Sequence, residues 1–207
     1  MKKYPFLNKQ ESGVIIIERF ELLTKDHWND FEKLFEKHRG VRGGCWCSFY
    51  LASASEYSKL NREGRKQFHK DKLENYPFTG GLYYHDDIPV AWCQFGPQEM
   101  LTRFNCNRMI GNYLSDSDNV WRISCIFVDK DYRKLGYGRK VVEGAIKTMI
   151  ESEADVIEAF PFDFADRDGG FQHNGSKDFY MKLGFENVGR MGKNEVIMRM
   201  DLKKSRQ

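Results

Sequence analysis

The chain is poor in the features that mark secreted, membrane-spanning or nucleic-acid-binding proteins. Five cysteines, at 45, 47, 93, 106 and 125, form an odd set without the spacing of a disulfide framework, which fits thiols kept reduced. No stretch approaches the ~20 consecutive apolar residues a membrane span needs. The start Met1-Lys2-Lys3-Tyr4-Pro5 lacks the apolar run of a secretory signal, so a cytoplasmic protein without a membrane partner is expected. Charge of one sign is missing too: 33 basic residues face 30 acidic ones, and nothing at the level of the whole chain calls for a nucleic-acid partner. The one sustained basic run outside residues 133–140 is Arg62, Arg65, Lys66, His69, Lys70 and Lys72. Glu63, Asp71 and Glu74 dilute it, and it reads as a solvated helix face. Repeats and low-complexity tracts are absent, and 207 residues suit one well-cored domain spanning 1–207 better than two.

Metal ligands are also scarce. Cys45-Trp46-Cys47 with His38 invites a metal hypothesis, but no second Cys or His pair stands at zinc-site spacing. The cysteines read as small apolar wall residues, and no metal is expected.

What the chain does have is an alternation of short apolar runs and amphipathic stretches. Val14 to Phe20 reads as a first strand. Thr24 is placed to cap a helix whose apolar stripe includes Trp28, Phe31, Leu34 and Phe35. Gly40 to Gly44 breaks that helix, Cys45 to Tyr50 is apolar and aromatic, and Arg62 to Asn75 reads as a second helix ending before Pro77. Trp46, Phe49 and Tyr50 have three readings, core, substrate pocket or homodimer interface, with core the default. Gly81 to His85 and Ile88 to Gly96 alternate as a hairpin around Asp86-Asp87. Residues 97–119 look loop-like. Beyond them come a strand over Trp121 to Val128, a helix with Val141, Val142, Ala145, Ile146, Met149 and Ile150 on one stripe, and a strand over Asp155 to Phe160. The end of the chain reads as a Gly/Asp-rich loop from Asp163 to Gly175, a short helix from Ser176 to Leu183, and strands near Glu186 to Gly189 and Glu195 to Met200.

The junction after Val128 carries the most chemistry. Arg133-Lys134-Leu135-Gly136-Tyr137-Gly138-Arg139 joins a strand end to a helix start. Orphan N–H donors and the positive end of the dipole face outward there, and the glycines let an anion approach the backbone. Arg133, Lys134, Arg139 and Lys140 surround that opening with positive charge. Two better-known phosphate loops fail on spacing. Val141 stands where a dinucleotide fingerprint needs its third small residue, and in Gly170 to Lys177 a serine separates glycine from lysine.

The segment resembles motif A of the GNAT superfamily of acyl-CoA-dependent N-acyltransferases, Arg/Gln-x-x-Gly-x-Gly/Ala after a strand ending in valine. Downstream, Phe179-Tyr180-Met181-Lys182-Leu183-Gly184-Phe185 is similar to a second segment of the same family. The resemblance implies an α/β (α+β) GNAT-like fold, a central, mostly antiparallel mixed sheet of six or seven strands flanked by about four helices. It implies that the amides of Arg133 to Arg139 hold the pyrophosphate of coenzyme A, that Ile126, Phe127 and Val128 pair with the pantetheine arm, and that Tyr180 lies near the cofactor sulfur as the catalytic residue. An asparagine often precedes that tyrosine by seven residues. Here that position is His173 and the asparagine is Asn174, which makes Asn174 a candidate pantetheine contact.

The activity implied is acetyl-CoA-dependent N-acetyl transfer to a primary amine, a small molecule or a peptide, by direct attack in a ternary complex. The alternative is a non-catalytic acyl-CoA-binding or regulatory module. A backbone N–H at Ile126 or Phe127 would serve the developing oxyanion. The general base is open among His173, Glu99, Glu158, Asp163 and Asp166, because the strand from Trp121 to Val128 contains no carboxylate. The substrate is not readable from the sequence.

Overall fold

The computed structural model describes residues 6–9, 15–105, 110–113, 115–163 and 173–203. Among the described residues eight strands form one sheet: β1 Phe6–Lys9, β2 Ile15–Leu22, β3 Gly81–His85, β4 Ile88–Pro97, β5 Val120–Val128, β6 Val156–Ala159, β7 Glu186–Met191 and β8 Glu195–Asp201. Their order is β1-β2-β3-β4-β5-β6-β8-β7, and only β5 and β6 run parallel. The helices are α1 Trp28–Glu36, α2 Ala54–Lys59, α3 Arg62–Lys72, α4 Thr102–Asn105, α5 Tyr137–Glu151 and α6 Lys177–Met181.

The strand pattern is the mixed, mostly antiparallel sheet expected, with β1 added at its edge against β2. The additional helices are short. α2 is nucleated by a capping box in which Ser53 and Glu56 satisfy each other's backbone N–H groups. α4, only four residues long, lies within the stretch that reads as loop. Thr24 does not cap α1: that helix begins at Trp28 after a turn in which His27 N–H bonds to the Thr24 carbonyl.

β4 separates two cores by simple alternation. Ala91, Cys93 and Phe95 pack with Val141, Val142, Ala145 and Met149 of α5, while Trp92 points to the other face. There it joins Trp28, Phe31, Leu34 and Phe35 of α1, together with Trp46. Phe31 stacks on Phe35 at 4.0 Å and meets Trp92 edge-on at 4.8 Å. Each such side chain contributes about 1.5–3 kcal/mol of burial. The α5 stripe is narrower than its spacing suggests, since Ile150 is 44% exposed.

Two residues of the basic run of α3 turn to this domain's own acids, Arg62 reaching Glu36 at 2.7 Å and Lys66 pairing with Glu32 and Glu36, while Arg65, Lys70 and Lys72 lie over the rings of Tyr57, Trp28 and Phe68. His69 departs from the solvated face altogether. It is fully buried, with Nδ1 against the Trp46 carbonyl at 2.7 Å and Nε2 against the Thr79 hydroxyl at 2.8 Å. Burial pushes its pKa down to about 4, so it is a neutral core residue.

Between α1 and Trp46 the backbone turns left-handed. Arg39, Gly40, Val41, Arg42, Gly43 and Gly44 all have positive φ, a conformation costing on the order of 1–2 kcal/mol at each non-glycine position. Packing holds it there: Gly40 lies so close to Trp46 that an added Cβ would sit 2.5 Å from the indole nitrogen.

Candidate active site

β5 pairs with β4 along its whole length but with β6 only as far as Ile123 and Ala159. The cause is a register shift: Gln94 faces Cys125 and Phe95 faces Ile123, leaving Ser124 as an extra residue. Such a bulge bends the strand, and it lies immediately past the last β5–β6 pair. From Ser124 to Val128 the edge of β5 that faced β6 is open. Asp129 N–H bonds to the Val90 carbonyl, so by alternation Phe127 also directs its backbone at β4, whereas Ile126 and Val128 direct theirs into the gap.

This corrects one assignment and refines two. Phe127 offers no backbone group to the gap; its ring packs against Phe35 and His38 at 5.6 and 4.9 Å. Val128 turns its carbonyl to Arg133 Nε at 3.4 Å. The Ile126 N–H has a partner in the chain itself, the His173 carbonyl, so the edge is bridged at that point.

Past β5, Asp129 anchors the loop. Its carboxylate is 2% exposed, lies 2.7 Å from Lys37 Nζ and accepts the Asp131 N–H. Burial alone would raise its pKa, but these bonds outweigh it and hold the group below its usual value. The chain then passes Arg133, Lys134 and Leu135, all exposed, to Gly136, whose φ of 86° only glycine adopts freely. Gly136 is the N-cap of α5 and no side chain caps that end, so its first N–H groups face outward. Gly138 is informative for the opposite reason. An added Cβ would merely touch Val128 Cγ2 at 3.5 Å, so protein packing does not demand glycine there.

The basic residues divide. Arg139 pairs with Glu143 at 2.7 Å on the surface. Lys140 turns inward to the buried Glu18 carboxylate at 2.6 Å, which removes it from the anion site. The Tyr137 ring is buried and its hydroxyl donates to Glu18 Oε1 at 3.2 Å, so its backbone is the part at the loop.

Tyr180 lies at the other end of the gap, in α6, which Ser176 caps through the Phe179 N–H. It is fully buried, and its hydroxyl has no partner among the described residues. Burial, reinforced by Cys93 and Cys125, raises its pKa well above the usual value, so it keeps its proton. A Cβ on Gly175 would lie 3.0 Å from Tyr180 Cε2 and 3.6 Å from Ile126 Cδ1, which places the ring beside the open edge. Asn174 is buried there too, its Nδ2 donating to the Phe160 carbonyl and the Tyr50 hydroxyl, both at 3.1 Å. Its Oδ1 has no partner among the described residues.

Tyr50 is the site residue that sequence reasoning passed over, having grouped it with Trp46 and Phe49 as core by default. Only the tertiary fold brings it to Asn174 and His173. Among the carboxylates weighed as bases, Glu158 is held between Arg122 and Arg199 at 3.2 and 2.7 Å, Asp163 pairs with Arg190 at 2.8 Å, and Glu99 is exposed. Asp166 lies outside the described residues.

A family model, Acetyltransferase (GNAT) family, matches residues 46–185. No curated protein sequence matches the chain. Solved structures share the fold at low identity. The paia N-acetyltransferase from Thermoplasma acidophilum, in complex with coenzyme A, is 12% identical with a TM-score of 0.52 over 89% of this chain and 98% of that one. Ard1 from Thermoplasma volcanium is 14% identical, with a TM-score of 0.51 over 89% and 97%. An uncharacterized protein from Bacillus halodurans is 13% identical, with a TM-score of 0.56 over 96% and 91%.

Proposed function

The chain belongs to the acetyltransferase (GNAT) family, and from that premise we propose that it is an acetyl-CoA-dependent N-acetyltransferase. It acts as a single domain over residues 1–207, transferring the acetyl group directly to a primary amine of a small molecule or peptide in a ternary complex. The observation that carries this reading is the buried Tyr180 hydroxyl, without a partner among the described residues, beside an interrupted strand edge.

Coenzyme A fits the residues present. Buried polar atoms normally have partners, and two that lack them among the described residues, Tyr180 Oη and Asn174 Oδ1, line the same gap. The uncapped start of α5 offers backbone donors and a positive dipole end to a diphosphate. Gly138 leaves space there, and Arg133, Lys134 and Arg139 add charge. Val128 and Ile126 border the slot for the pantetheine arm.

When bound, acetyl-CoA supplies an activated thioester carbonyl. The Ile126 N–H, released by the His173 carbonyl, donates to the acyl oxygen as charge develops on it. Tyr180 donates its proton to the departing sulfur. Fixed geometry supplies much of the rate enhancement.

The test is calorimetric titration of the protein with acetyl-CoA, then thiol release on the same sample against a panel of primary amines. Binding with turnover is expected. Absence of binding would overturn the anion-loop assignment. Binding with no transfer to any amine would instead leave a non-catalytic acyl-CoA-binding module.

A further inference from the structure

The Tyr50 hydroxyl sits in a hydrogen-bond chain whose direction can be deduced. Asn174 Nδ2 lies 3.1 Å from the Phe160 carbonyl, which can only accept, so the amide orientation is fixed with NH₂ on that side. The second hydrogen of the same group then points at the Tyr50 oxygen, also 3.1 Å away. The Tyr50 oxygen accepts, and its own proton is directed at its other neighbour, His173 Nε2, at 3.3 Å. With Tyr50 donating, that nitrogen accepts, which puts the ring hydrogen on Nδ1. The ring of Tyr50 is held by stacking on Phe104 at 4.5 Å, and Phe104 stacks on Phe160 at 4.2 Å.

We propose that Tyr50 and His173 form the proton relay of this site: the Tyr50 hydroxyl takes the proton shed by the attacking amine and passes its own proton to His173 Nε2. The inference rests on the acetyl-transfer reading above. As the C–N bond forms, the amine nitrogen becomes cationic. Its proton moves to the Tyr50 oxygen while the Tyr50 proton moves to the imidazole. As the C–S bond breaks, Tyr180 protonates the sulfur. Solvent then takes the proton from His173 and restores the one lost by Tyr180, so one proton in total travels from nitrogen to sulfur. Tyr50 is the catalytic member, and His173 acts through it.

Burial raises the Tyr50 pKa strongly, a trend Asn174 opposes and Cys125 and Glu195 reinforce. Tyrosinate is thus no resting state, and an acceptor behind the hydroxyl is needed. The titratable groups bearing on Tyr50 are Cys45, Cys125 of β5, Tyr180 of α6 and Glu195 of β8. His173 meets the site through two different atoms, its carbonyl on the Ile126 N–H and its ring on Tyr50. Releasing the first contact needs a peptide rotation rather than withdrawal of the ring.

Two measurements test the relay. Nitrogen-15 NMR of the unliganded protein, with His173 assigned through His173→Gln, should show the Nδ1–H tautomer with Nε2 accepting, and Tyr50→Phe should relax that preference. A ring protonated at Nε2 would overturn the relay without touching the transfer reading. In kinetics with acetyl-CoA and butylamine, spermidine or a free N-terminal peptide, Tyr50→Phe and His173→Gln should each lower kcat on the order of 10²-fold. Both should keep the calorimetric acetyl-CoA affinity. The wild-type rate should fall as pH drops through the His173 pKa, and that limb should vanish in His173→Gln. Unchanged kcat and pH profile in both variants would sink the relay while transfer stands. Wild-type binding without acetylation of any amine would overturn both.

Discussion

The aromatic core around α1 and the cleft between β5 and α6 bury polar groups in different surroundings. In the first, His69 has a partner on each ring nitrogen, Arg62 and Lys66 pair with Glu32 and Glu36, and Trp46 Nε1 lies without a partner among the described residues amid aromatic packing. In the second, Tyr180 and Asn174 bury oxygen atoms without partners among the described residues, and α5 begins without a cap. Unsatisfied buried groups are costly, and the two in the cleft differ from Trp46 Nε1 in bordering an open strand edge rather than packed rings. Under the proposed function, the polar atoms of the cleft are the ones that a ligand would meet.

The contrast is broken most sharply at Tyr180. Tyr180→Phe should lower turnover on the order of 10²–10³-fold with acetyl-CoA affinity held within about twofold. The unliganded protein should gain about 1 kcal/mol, because an unsatisfied hydroxyl is removed; urea titration reads this, and a loss of stability would contradict the unmet hydroxyl.

The α1 core should answer to pH instead. His69 is neutral when folded, with a pKa of about 4 against about 6.5 when unfolded. The unfolded chain binds more protons between those values, so stability declines as pH falls through that window. Urea titrations from pH 7 to 4 should lose up to about 3 kcal/mol from this group. His69→Gln should flatten the slope, and an equal slope in the variant would refute the assignment.

Gly138→Ala sharpens the comparison at a smaller scale. Space exists for the methyl in the unliganded protein, and alanine suits a helix better than glycine by up to about 1 kcal/mol. Thermal stability should hold or rise while acetyl-CoA affinity drops roughly tenfold, about 1.4 kcal/mol. Unaltered affinity would place the diphosphate elsewhere. The smallest effect should come from Lys66→Ala on the exposed side of the α1 core, under about 1 kcal/mol by urea unfolding, as surface pairs generally give.

Much of the fold was legible because its signals are local. The β3–β4 hairpin and the α5 stripe are written in consecutive residues, and the loop before α5 declares itself through Gly136 and the charges beside it. Ser53 and Glu56 carried a capping-box signal for α2 that the apolar periodicity obscured. The remainder depends on distant partners. Nothing near Lys140 or Tyr137 announces that Glu18, more than a hundred positions earlier, turns both inward. Nothing near Tyr50 indicates Asn174 and His173. The Ser124 bulge, which opens the gap, is a matter of register between two strands and has no signature in either alone.

The parting of β5 from β6 also gives the sheet an edge in its middle, besides those at β1 and β7. Bare strand edges invite pairing with other chains and are a route to aggregation. This one runs only from Ser124 to Val128, has Gly175 beside it, and is crossed by the His173 carbonyl. It is too short a strip to seat a foreign strand, so the bulge that parts the two strands does not also invite neighbouring protein molecules to add to the sheet there.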